Sequence, residues 1–225
     1  MTWTQHFRKA LTFSYDDGNE ADVRLVALLN QYGMKCTFNL NSGLDSSDVW
    51  QYKGVDVRRL DLAQCKELYK GHEIAVHGSR HLALPELSEE ALDAELAGDK
   101  KQLTKLFGTE PVGMAYAYDA YNETAVEKLR SIGIRYARTV EDSHSFDLQT
   151  DLLHFRPTCH HDDPQLFALA EQFLTMEPDT PQVFYIWGHS YEFDGNANWD
   201  RFERLLQLLA GKQDIFYGTN VQVLL

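Results

Sequence analysis

Apolar runs too short to be helices alternate along this chain with segments of helical period, and that alternation narrows the fold more than any other feature. Residues 10–15, Ala-Leu-Thr-Phe-Ser-Tyr, read as a buried strand, followed by a helix over about 20–32 with Gly33 at its C-terminal cap. A strand over 34–40 comes next. Residues 41–59 read as a polar connection carrying Trp50 and Tyr52, Asp61 opens a short helix ending at Gly71, and 73–76 is a third strand. The clearest helix covers about 88–107. Leu92, Leu96, Leu103 and Leu106 share one face, with Glu89 and Glu90 in the first turn and Lys100, Lys101 and Lys105 near the end, matching the helix dipole. A strand over 112–116, a helix over 122–131 capped by Asn122, and a strand over 134–137 continue the pattern. A strand near 152–156, a helix over 164–175, a strand over 183–187, a helix over 199–210 and a short strand near 214–217 complete it. Seven or eight such units suit a (β/α) barrel or an open doubly wound sheet, and neither a Gly-rich dinucleotide fingerprint nor a P-loop is present. A single domain spanning 1–225 is expected for this length.

A formal charge of −13 offers no basic field for phosphates, so neither nucleic acid nor an anionic membrane is the expected partner. Neutral or cationic small ligands suit it better. No apolar stretch approaches the ~20 residues of a membrane span. The first nine residues contain no signal-peptide core, and a cytoplasmic protein is expected. Three widely spaced cysteines, Cys36, Cys65 and Cys159, do not make a disulfide framework. Cys36 and Cys65 fall in apolar-periodic segments and read as core, whereas Cys159 stands beside His160 and His161.

Three of the strand ends carry chemistry. Asp16-Asp17-Gly18 closes the first strand, and adjacent carboxylates that give up solvation call for a cation or a division of labour. His77 and His81 follow the third strand as H-x3-H, and His189 closes Val183-Phe-Tyr-Ile-Trp-Gly188. Taken singly, each has a plain explanation: a turn, a surface pair, a satisfied core histidine. Taken together, in order and at strand ends, they read as a metal-dependent hydrolase.

At these residues the chain resembles the polysaccharide deacetylase family (NodB homology, carbohydrate esterase family 4). Ser14-Tyr-Asp-Asp-Gly18 is similar to the family's first motif, His77-Gly-Ser-Arg-His81 to its histidine-rich second motif, and Ile186-Trp-Gly-His189 to its last. The resemblance implies a distorted (β/α) barrel of seven or eight strands. It implies one divalent metal ion held by Asp17, His77 and His81. Zinc is expected, and cobalt, nickel or iron is compatible with the same ligand types. Asp16 would be the general base for the attacking water, and His189 the acid that protonates the departing amine.

The third motif departs from the pattern. In Ala115-Tyr-Ala-Tyr-Asp119, Tyr118 matches a tyrosine whose backbone N–H helps hold the oxyanion, but Ala115 stands where the family has arginine and Asp119 where it has glycine. Arg156, after a predicted strand, is the candidate substitute. His160, His161, Asp162 and Asp163 form a second cluster suited to orienting His189 or contacting substrate, with Asp162 or Asp163 the candidate support for the acid. Tyr191 and Glu192 are candidates to line the pocket. The expected activity is removal of an acyl group, N-acetyl above all, from a small-molecule or oligosaccharide substrate. The alternatives are hydrolysis of another small cytoplasmic amide or formamide, and a catalytically silent carbohydrate-binding protein of the same fold.

Overall fold

The structure, a computed structural model, describes residues 2–225. Its spine is β1 (Lys9–Asp16), buried along its whole length. This strand pairs in parallel with β9 (Gln182–His189) from end to end, with β2 (Cys36–Leu40) over Phe13–Asp16, and with β10 (Ile215–Tyr217) over Lys9–Leu11. Beyond β2 lie β5 (Glu73–Val76), β6 (Gly113–Ala115) and β7 (Tyr136–Arg138); beyond β9 lies β8 (Cys159–His160). All of these pairings are parallel. The far side is drawn together by residues 155–160. Phe155 N–H bonds to the Ala137 carbonyl at 3.0 Å, and Thr158 N–H bonds to the Tyr185 carbonyl at 2.9 Å. The result is a distorted (β/α) barrel, not the open doubly wound sheet.

Side chains on β1 alternate between two environments, as a strand's period of two requires. Leu11, Phe13 and Tyr15 join the large apolar cluster beneath the outer helices. Thr12 and Ser14 turn inward, bonding to Asn220 (2.8 Å) and Asn39 (2.9 Å), and this polar column leads up to Asp16. The outer layer comprises α1 (Asp22–Gln31), α2 (Glu89–Asp93) continuing into α3 (Asp99–Phe107), α4 (Glu123–Ser131), α5 (Leu166–Thr175) and α7 (Trp199–Leu209). Asn122 caps α4, its side chain accepting the Ala125 N–H at 2.9 Å. The short helices α6 (Tyr191–Gly195) and α8 (Asn220–Leu224) were not expected from periodicity.

Three readings are corrected. The polar connection contains an antiparallel hairpin, β3 (Val49–Tyr52) and β4 (Val55–Arg58), turning at Lys53-Gly54 with φ of +49° and +83°. The expected helix after Asp61 is reduced to a 3₁₀ turn, Leu62–Gln64. The strand near 152–156 is a 3₁₀ turn, Leu152–His154, followed by a single bridge at Phe155; the ordered pairing comes later, in β8. Among the described residues no helix is long and apolar enough to cross a membrane.

Register brings the chemistry to one rim. Asp16 lies opposite both Asn39 and His189, and Ala115 lies opposite Arg138. His77 directly follows β5, whose Val76 pairs with Leu40 and Met114.

Candidate active site

Asp17, His77 and His81 converge. Asp17 Oδ1 stands 3.8 Å from His77 Nε2 and 3.6 Å from His81 Nε2. Ligands bonded tetrahedrally to zinc at about 2.1 Å lie about 3.4 Å apart, so the three atoms need only a small contraction to hold such an ion. The tautomer also fits. His77 Nδ1 lies 2.8 Å from the Ala115 carbonyl and can only donate to it, which leaves Nε2 with its lone pair free. That nitrogen is buried without a hydrogen-bond partner and points at the two aspartates. A divalent cation would supply what it lacks.

Asp17 adopts a φ of +82° and His81 one of +57°, conformations that cost energy for residues other than glycine. Surrounding bonds hold them there. Asp17 N–H bonds to the Asn39 carbonyl at 3.0 Å. Arg59, which follows the unforeseen hairpin, reaches the Asp17 carboxylate at 3.2 Å and its backbone carbonyl, and donates to Asn41 at 2.7 Å. Tyr118 and Asp119, in the third-motif loop, also have positive φ. The Tyr118 ring stands edge-on to His81 at 4.4 Å and is 71% exposed, at the mouth of the site. Asp119 ties this loop to the next by accepting the Val140 N–H at 3.1 Å.

Asp16 is held by side chains. Asn39 donates to its Oδ1 at 2.8 Å, and Arg138, fully buried, donates to its Oδ2. The Arg138 guanidinium also lies 4.4 Å above the Trp187 ring. Arg138, not Arg156, is therefore the arginine that meets the candidate base. Arg156 lies in an exposed pair with Glu141 at 2.9 Å. Both arginines follow predicted strands, but only Arg138 lies in register with Ala115 on the adjacent strand.

His189 Nε2 stands 3.9 Å from a carboxylate oxygen of both Asp16 and Asp17. Behind it is Glu192, which accepts the His189 backbone N–H at 2.9 Å and lies 3.3 Å from Nδ1. His160 Nδ1 accepts the Asp162 N–H at 3.1 Å, so its proton sits on Nε2 and is donated to Glu192 at 3.0 Å. The carboxylate behind the candidate acid is thus Glu192. Asp162 instead accepts the amides of Asn196 (2.5 Å) and Asn198 (2.6 Å), and Asp163 pairs with His144 at 2.7 Å. His161 is wholly buried, stacked between Tyr15 and Phe193, and has no surface to offer a substrate. Cys159 is buried as well.

Electrostatics separate the roles. Burial alone would raise both aspartates. For Asp16, the Arg138 charge, with His77 and His189, outweighs it and holds the carboxyl below its usual range. For Asp17, His189, His77 and Arg59 bring it to about 2. Burial and the neighbouring His77 lower His81 to about 4, leaving a neutral imidazole. Burial opposes the charged form of His189, but Glu192, Asp17 and Asp16 overcome it and raise the imidazole to about 9. One histidine suits a cation and the other suits giving up a proton.

A family model described as Polysaccharide deacetylase matches residues 5–137. Among solved structures, a family 4 carbohydrate esterase from Streptomyces lividans, in complex with acetate, superposes with a TM-score of 0.60 at 17% identity, covering 94% of this chain and 93% of that one. The Streptococcus pyogenes deacetylase PplD, also with acetate, gives 0.57 at 22% identity over 73% and 69% of the two chains. A mutant of a CE4 family pseudoenzyme with restored enzymatic activity gives 0.62 at 14% identity over 96% and 68%. No curated protein sequence matches the chain.

Proposed function

Since the chain belongs to the polysaccharide deacetylase family, we propose that it is a metal-dependent hydrolase that removes an acyl group, N-acetyl in the first instance, from a carbohydrate. The observation that carries this reading is the unpartnered, buried Nε2 of His77 directed at Asp17, with His81 completing the set. A divalent ion held there, zinc by the ligand types, would lower the pKa of water and polarise the acyl carbonyl.

The chain's own groups supply the rest. Asp16 is kept ionised by Arg138 and oriented by Asn39, so it can take the proton of the attacking water. Glu192 and the neighbouring aspartates favour the protonated form of His189, which can pass its Nε2 proton to the departing nitrogen as the C–N bond breaks. Glu192 on the Nδ1 side keeps that proton facing the reaction. Tyr118 stands where the sugar would enter, and its backbone N–H is the proposed oxyanion donor.

Ala115 in the arginine position favours a silent binding protein only if Asp16 has lost its guanidinium, and Arg138 provides one. Acetate release from N-acetylglucosamine oligomers tests the proposal. Wild type should release acetate, and Asp16→Asn should lose about 10²–10⁴-fold in rate while retaining metal. Full activity in Asp16→Asn would refute the base assignment. Amide or formamide hydrolysis without action on acetylated sugars would point to the alternative substrates.

A further inference from the structure

Between α2 and α3 the helix widens. Residues Ala94–Gly98 form a π-helical turn, with Glu95 buried on it and Asp99, also buried, directly after it. Wide turns of this kind recur where local structure serves a site. Here the turn faces the loop that carries His77 and His81.

Glu95 collects three amides of that loop. Its carboxylate accepts the Arg80 N–H at 3.0 and 3.1 Å and the Leu82 N–H at 2.9 Å, and its backbone carbonyl accepts the Ser79 N–H at 2.9 Å. Asp99 accepts the Ser42 N–H at 2.8 Å and shares the His77 N–H, at 3.3 Å, with the nearer Leu40 carbonyl at 3.1 Å. His81, at φ +57°, is the residue between two clamped amides. Gly78, at φ +81°, lets the loop close around the carboxylate, since a Cβ there would stand 2.6 Å from Glu95 Oε1.

We infer that Glu95 is a positioning residue for the metal-binding loop. The π turn sets the Glu95 carboxylate where it fixes the backbone on both sides of His81, and this carries His81 Nε2 to 3.6 Å from Asp17 Oδ1. Glu95 touches neither substrate nor reacting atoms. It acts through the loop, and the inference rests on the reading of Asp17, His77 and His81 as cation ligands.

The test uses the full chain with Co²⁺ as probe, read by its d–d absorption and affinity, alongside amide exchange at Arg80 and Leu82. Glu95→Gln keeps the side chain's volume but replaces one acceptor oxygen with a donor facing an N–H. Cobalt affinity should fall about 10–100-fold with an altered spectrum, as for other residues that orient metal ligands. The two amides should exchange at least about tenfold faster, with the thermal midpoint shifted by less than about 5 °C. Leu103→Ala, a core deletion on the same helical segment, should lower the midpoint more and leave cobalt affinity within about twofold. Should Glu95→Gln fail to fold, Gly78→Ala disturbs the same contact from the loop side and should give the same loss. Unchanged cobalt affinity in a folded variant, or a loss equalled by Leu103→Ala, would overturn the inference. If wild type binds no cobalt, the proposed function fails instead, and the exchange rates alone decide: unchanged protection at Arg80 and Leu82 would overturn the role of Glu95.

Discussion

On the β1–β5 side of the rim, the candidate cation ligands are placed largely through backbone groups: His77 Nδ1 meets the Ala115 carbonyl, the Asp17 N–H meets the Asn39 carbonyl while Arg59 meets its carboxylate, and His81 sits between the Arg80 and Leu82 amides that Glu95 accepts. On the β7–β9 side, charged side chains hold one another: Arg138 grips Asp16, and Glu192 backs His189 and His160. The first arrangement fixes distances and leaves a lone pair ready for a cation. The second fixes protonation states, one carboxyl held low and one imidazole held high. Substitutions on the two sides should therefore fail differently, by losing metal on one and by losing stability or shifting the pH profile on the other.

The largest effect should come from Arg138→Met, which leaves the buried Asp16 carboxylate without its cation. Breaking one partner of a buried pair costs about 3–5 kcal/mol, and urea unfolding should register it. A variant unfolding at the wild-type midpoint would erase the contrast between the two sides.

Glu192→Gln should act on the profile more than on the fold. The proposed acid must be protonated, so kcat/KM should fall as pH rises through the His189 pKa, which Glu192 helps to raise. Without the carboxylate that pKa drops, and the basic limb should move to lower pH by about one unit or more, equivalent to about 1.4 kcal/mol. A limb that stays in place would assign the proton to another group.

The smallest effect should be that of Arg156→Ala. Its pair with Glu141 is half exposed, and such pairs contribute less than about 1 kcal/mol. Activity should stay within about twofold. A large loss would return Arg156 to the site and displace the account of Arg138.

The β1–β5 side was the more legible in sequence because its motifs are local: two aspartates in a row, two histidines four apart, each after an apolar run. The α4 helix with its Asn122 cap was legible for the same reason. Arg138 was not, because its role depends on β6 and β7 pairing Ala115 with it, while periodicity placed the strand's end one residue earlier. Glu192 reads in sequence as a candidate to line the pocket; its place behind His189 shows only once the short α6 turns it back. Trp50 and Tyr52 sit on a hairpin whose Lys53-Gly54 turn is a weaker signal than Asn-Gly. Arg59, just beyond it, became visible as a partner of Asp17 only in three dimensions.

Metal content by mass spectrometry, after equilibration with zinc and removal of excess, tests the central claim most directly. The account predicts about one zinc per wild-type chain and none in folded Asp17→Ala. No bound metal in the wild type, or equal occupancy in Asp17→Ala, would contradict it.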